Sequence, residues 1–102
     1  MHLDITGKHV DINDRLRSNI KKKLSRIERH YDQITTVRVI LSVDKIQYRA
    51  EATVHVNGNE LFADTRAPDI QSAIDSLVNK LDRQVIKHKE KSSRHRERAM
   101  SR

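Results

Sequence analysis

Cysteine and tryptophan are missing from this chain of 102 residues, proline occurs once, and glycine only twice, at Gly7 and Gly58. Without cysteine there are no disulfides and no thiolate metal ligands, which fits a reducing compartment. Two glycines cannot build a glycine-rich loop around a phosphate. The aromatics are Tyr31, Tyr48 and Phe62 alone, too few for the stacking platform by which single-strand readers hold bases. No run of 18 apolar residues exists, so no membrane-spanning helix is expected. No basic segment followed by an apolar one opens the chain, so no signal peptide is visible, and a cytoplasmic protein is expected.

Chemistry is equally sparse. The histidines His2, His9, His30, His55, His88 and His95 show no close ligand spacing, so no metal is expected. Ser18, Ser25, Ser42, Ser72 and Ser76 fall inside helices or a strand, without the exposed turn and paired base that a nucleophile needs. No catalytic residue, no cofactor and no enzymatic activity are expected.

Charge is abundant, and it is uneven. The net charge is +7, and an excess of this size favours an anionic partner. Residues 14–31 carry seven basic and two acidic side chains, and residues 80–102 carry nine and three. Residues 34–66 carry four of each. The excess therefore sits on two segments outside the neutral middle of the chain.

Both segments read as helices. Asn13 can cap a helix from Asp14 to about Tyr31, with Leu16, Ile20, Leu24, Ile27 and Tyr31 as its apolar seam. Arg15, Lys22, Arg26 and Arg29 line the far side within about 60°, and Lys23 flanks the seam. Asp69 can cap a second helix, in which Ile70, Ala73, Ile74, Leu77, Val78, Leu81 and Val85 recur at helical spacing. Lys80, Arg83, Lys87, Lys91, Arg94 and Arg98 fall within about 80° of one another, roughly 120° from that seam. If the helix continues past Lys91, it has one face for a core and one cationic ridge.

The remainder alternates with period two. Met1, Leu3 and Ile5 point one way in a first strand that Gly7 ends. A second strand spans 36–43 with Val37, Val39, Leu41 and Val43 inward, then a loop covers 44–47. A third strand spans 48–56 with Tyr48, Ala50, Ala52, Val54 and Val56 on one face. Asn57-Gly58 is a strong hairpin signal. A two-residue turn there pairs Val54 with Leu61, Ala52 with Ala63, Ala50 with Thr65, His55 with Glu60 and Thr53 with Phe62, keeping the inward face apolar. The order β-α-β-β-β-α predicts an α/β domain, an α+β sandwich. Its four-stranded mixed sheet has a right-handed parallel crossover between the first two strands and both helices on one face. Residues 1–91 form the domain, and the basic tail 92–102 is expected to fray.

A charge run on one helix is most often a solvated face. Here two helices carry such runs and both cover the same sheet face, which favours nucleic acid. With few aromatics, recognition of the shape and phosphates of folded RNA fits better than reading of single strands. An amphipathic membrane helix would need apolar bulk for lipid, but these seams are used by the sheet, so no membrane partner is expected.

Several segments resemble the hibernation promoting factor family in its short form: Asp69 followed by Ala73-Ile74-Asp75, Leu77, Lys80-Leu81-Asp82-Arg83-Gln84 and Lys87-His88-Lys89; Ile5-Thr6-Gly7; Lys23-Leu24-Ser25-Arg26-Ile27-Glu28; and Ala52-Thr53-Val54-His55-Val56-Asn57-Gly58. The resemblance covers residues 1 to about 91. It implies a fold similar to double-stranded RNA-binding domains with an added first strand. It also implies binding to the small ribosomal subunit and its rRNA near the decoding centre, where messenger and transfer RNA are blocked and idle ribosomes are preserved in stationary phase. It places RNA contacts at Lys23, Arg26, Lys80, Arg83, Lys87, Lys89 and Lys91. Arg15, Lys22, Arg29 and Arg94 join them from stripe geometry alone. The chain ends without the C-terminal domain of long members and has a basic tail, so the resemblance is to a form that acts with a separate ribosome modulation factor on inactive ribosome dimers. A monomer is expected when free. The alternatives are a general structured-RNA binder or ribosome assembly factor and, more distantly, a module whose basic face meets an acidic protein.

Overall fold

The computed structural model describes residues 1–31, 33–56 and 58–100, with side chains up to Lys91. Its elements follow the order β1 (His2–Lys8), α1 (Asp14–His30), β2 (Ile34–Val43), β3 (Tyr48–Val56), β4 (Asn59–Ala67) and α2 (Ile70–Met100). One sheet has the strand order β1-β2-β3-β4. β1 is parallel to β2, and the other neighbours are antiparallel.

Strand alternation sorts the side chains as expected. Val37, Val39 and Leu41, then Ala50, Ala52, Val54 and Val56, then Ala63 and Ala67 are buried. They share one core with Ile20, Leu24 and Ile27 of α1 and Ala73, Ile74, Leu77, Leu81 and Val85 of α2. Both helices therefore cover the same sheet face, and Arg38 on the other face is exposed. Thr65 is the one buried polar residue among the described residues, and its hydroxyl donates to the Ala73 carbonyl (2.7 Å). That bond also fixes the first turn of α2 against β4. The β3–β4 register matches all five expected pairs, and Gly58 takes the positive φ of 80° that a tight turn requires. Asn57 lies outside the described residues.

Two boundaries and one burial differ from the sequence reading. β1 does not end at Gly7 but runs on to Lys8. Gly7 is needed for a close approach instead: a Cβ there would stand 2.2 Å from the Val10 carbonyl oxygen and 2.9 Å from Ile12 Cγ1. β2 begins at Ile34, two residues early. A bulge between Ile34 and Thr36 resets the alternation, so Ile34 joins Val56 on the buried face. Val43, expected inward, is exposed because it stands at the strand's end, where no helix covers it.

Cap chemistry sets both helix starts. Asn13 Oδ1 accepts from the Leu16 N–H (2.8 Å), and Asp69 Oδ1 accepts from the Ser72 N–H (2.8 Å). The N–H of Tyr31 closes α1 on the Ile27 carbonyl. α2 continues past Lys91 as the stripe required, to Met100. The expected fraying of 92–102 concerns a segment whose side chains lie outside the description. Among the described residues no helix is long and apolar enough to cross a membrane.

Candidate nucleic-acid interface

Topology aligns the two helices. Each follows a strand running the same way, so α1 and α2 run parallel. Three cross-helix pairs record this at a constant offset of 52 positions. Asn19 Nδ2 donates to Gln71 Oε1 (3.0 Å), Lys23 is ion-paired with Asp75, and His30 Nε2 lies 3.9 Å from an Asp82 carboxylate oxygen. Lys89 Nζ donates to the His30 carbonyl (3.0 Å), and the rings of Tyr31 and His88 stand 5.9 Å apart at the same end.

The opposite flank of α2 grips the edge of the sheet. Lys80 Nζ donates to the Asp64 carbonyl (2.9 Å), and Gln84 Nε2 donates to the Phe62 carbonyl (2.8 Å). Both acceptors belong to β4, an outer strand whose polar edge would otherwise be open.

These contacts divide the basic residues chosen from sequence. Lys23, Lys80 and Lys89 each hold a partner within the fold. Arg15, Lys22, Arg26 and Arg29 of α1 and Arg83, Lys87 and Lys91 of α2 are exposed, and none has an ion pair among the described residues. The side chain of Arg94 lies outside the description. On each helix these cations stand on the side away from the buried seam. Asp75 and Asp82 are turned to the α1 flank, where they neutralise Lys23 and approach His30 instead of the outward cations.

The other sheet face has no such surplus. Arg49 is held between Glu51 (2.7 Å) and Asp64 (2.9 Å), and His55 Nδ1 lies 3.4 Å from Glu60. Phe62 is exposed there as an isolated aromatic. Tyr31 and Tyr48 pack against the edge of the core, half-buried. No group of three or more metal-ligating side chains occurs among the described residues.

Sequence reasoning missed the partners of Lys23 and Lys80. Asp75 and Asp82 are seven apart and share one helix flank, a signal available from the sequence, but that this flank faces α1 depends on the fold. It also missed a groove at the head of the helices, where His9, Asn19, Tyr48 and Gln71 meet from four separate segments.

A sequence model of the family described as "Sigma 54 modulation protein / S30EA ribosomal protein" matches residues 3–93. The chain is 50% identical over 91 residues to the ribosome hibernation promoting factor of Azotobacter vinelandii, covering 89% of this chain and 85% of that one. It is 42% identical over 95 residues to the protein of that name from Escherichia coli K12, covering 93% and 100%. Among solved structures, a ribosomal subunit interface protein from Coxiella burnetii superposes with a TM-score of 0.83 at 33% identity, covering 88% of this chain and 99% of that one. The N-terminal domain of Thermus thermophilus Protein Y superposes at 0.77 with 31% identity, covering 83% and 96%.

Proposed function

The chain belongs to the Sigma 54 modulation protein / S30EA ribosomal protein family, and from that membership we propose that it silences ribosomes by laying its two cationic helices on the RNA of the small subunit. Its role is ribosome hibernation, a form of translation regulation, and the family is one of ribosome-binding factors, not of enzymes. The finer reading is steric. Bound near the decoding centre in the cytoplasm, residues 1–91 occupy the path of messenger and transfer RNA, and α2 carries on past them to Met100. A ribosome modulation factor acting on the same ribosome then gives inactive dimers. The free protein is a monomer.

One observation carries this reading. Seven exposed cations without intramolecular ion-pair partners among the described residues, namely Arg15, Lys22, Arg26, Arg29, Arg83, Lys87 and Lys91, stand on two parallel helices that a shared core fixes side by side. Lys23, Lys80 and Lys89 have internal partners and support the interface by holding α2 between α1 and β4. Arg94 extends the α2 ridge by spacing alone.

Gradient sedimentation with purified ribosomes, alongside cell-free translation, tests the proposal. The protein is expected on empty small subunits and idle ribosomes, and displaced by messenger RNA with initiator transfer RNA. If about six cations each neutralise a phosphate, affinity falls by around a thousandfold between about 50 and 200 mM salt. Equal binding to unrelated structured RNA would favour a general RNA binder, and binding indifferent to salt would remove the electrostatic basis.

A further inference from the structure

A groove of about 860 Å³ opens at the end of the molecule where both helices begin. That is within the roughly 300–1,000 Å³ of clefts that take small organic groups. Its lining divides by chemistry. Arg15 and Lys22, both on α1, are its cations, and Tyr48 of β3 with the apolar side chains of Leu16 and Ile70 supplies its apolar surface. The bonded amides of Asn19 and Gln71 bridge the helices between them (3.0 Å). His9 closes the groove from the β1–α1 turn and is the sole described non-glycine residue with positive φ, at 61°. The first backbone amides of the helices are not the attraction, since Asn13 and Asp69 cap them already.

Resting on the reading that RNA is the ligand, we infer that this groove takes one extruded nucleotide of the bound strand, its base against Tyr48 and its flanking phosphates on Arg15 and Lys22. The two cations stand seven residues apart, about 10.5 Å along the helix axis. Side chains as long as arginine and lysine, rooted that far apart, can converge on the two phosphates on either side of one nucleotide. Extruded bases of folded RNA are held by aromatic stacking and by polar groups along their edges. The groove supplies one aromatic ring and the Asn19 amide oxygen, while Gln71, which accepts from Asn19 (3.0 Å) and donates to Asp75 (3.3 Å), holds that amide in place. Asp11 also lines the groove and offsets part of its cationic charge. The groove is continuous with the outward cations of α1, so the same strand can reach both.

Two uncharged substitutions test this without touching the cationic ridges. Tyr48→Leu removes the ring but keeps apolar bulk. His9→Gly removes the imidazole at a backbone position that glycine accepts freely. Each is expected to weaken binding to small ribosomal subunits, Tyr48→Leu by about tenfold, the size of one stacked base. The slope of affinity against salt is expected to stay that of the wild type, since no phosphate contact is lost. Ultraviolet irradiation of the wild-type complex should leave a nucleotide adduct on the tryptic peptide Ile46–Arg49, found by mass spectrometry. If Tyr48→Leu melts early, the His9→Gly measurement and the wild-type adduct decide. Wild-type affinity in both variants with no adduct overturns the inference. So does a result in which AMP, GMP, CMP or UMP shifts the Asn19 and Gln71 side-chain amide resonances while both variants bind subunits normally, for the groove then serves free nucleotides. Failure of the hibernation reading looks different: the wild-type protein itself would not sediment with ribosomes.

Discussion

Single residues set the ends of elements here. Asp69 accepts from the Ser72 N–H (2.8 Å) and from the Ser72 hydroxyl (2.9 Å). These bonds, the backbone one foremost, hold its carboxyl below the ordinary carboxylate range. A carboxylate favoured in the folded state contributes stability above its unfolded pKa of about 4, and that contribution is lost as pH falls through the lowered folded value. Asp69→Asn keeps a good cap but does not titrate. Its melting temperature is expected to lie below the wild type near neutral pH, with the gap closing below about pH 4. A gap independent of pH would mean the charge contributes nothing. Gly7 was legible as punctuation, but its reason was not, because the clash is with Val10 and Ile12 after the chain has turned back. Gly7→Ala is expected to cost about 1–3 kcal/mol, as overpacking does, read as a lower urea midpoint at unchanged slope.

Elements were the most legible scale. Alternation in β3 and β4, with a turn at 57–58, determined the register because any one-residue slip would turn Leu61 and Ala63 to solvent. The helical seams were equally plain, since Leu24, Leu77 and Leu81 are all buried. The bulge at Ile34 escaped notice, because an extra residue in a strand breaks the very period by which strands are recognised. Sequence also could not show what Lys80 and Gln84 do, as their acceptors are backbone carbonyls of β4. Capping an outer strand in this way removes a template for pairing with a second chain. The double substitution Lys80→Ala/Gln84→Ala is therefore expected to fold but to self-associate with rising concentration, measured by light scattering after size exclusion. A strictly monomeric variant would mean that the edge is protected by other means.

At the scale of the whole molecule, function depends on which side faces the ribosome. The stripes on α1 and α2 were visible in the sequence one helix at a time. Their alignment follows from the parallel helices, and that the outward cations lack ion-pair partners among the described residues follows from Asp75 and Asp82 being turned to the inner flank. Lys87 isolates the consequence. It lies mid-ridge between Arg83 and Lys91, is exposed, and stands roughly 160° around the helix from buried Val85. Lys87→Glu is thus expected to leave stability within about 0.5 kcal/mol of wild type. On the interface it removes one phosphate partner and adds a repelling charge, so ribosome affinity should fall by tenfold or more, with a salt slope smaller by about one. Arg38→Glu makes the same change in net charge on the uncovered sheet face, where Arg38 is exposed in the middle of β2. It is expected to bind ribosomes and inhibit cell-free translation nearly as the wild type does. Equal losses from the two variants would mean that net charge alone governs binding, and a greater loss from Arg38→Glu would mean that the sheet, not the pair of helices, meets the RNA.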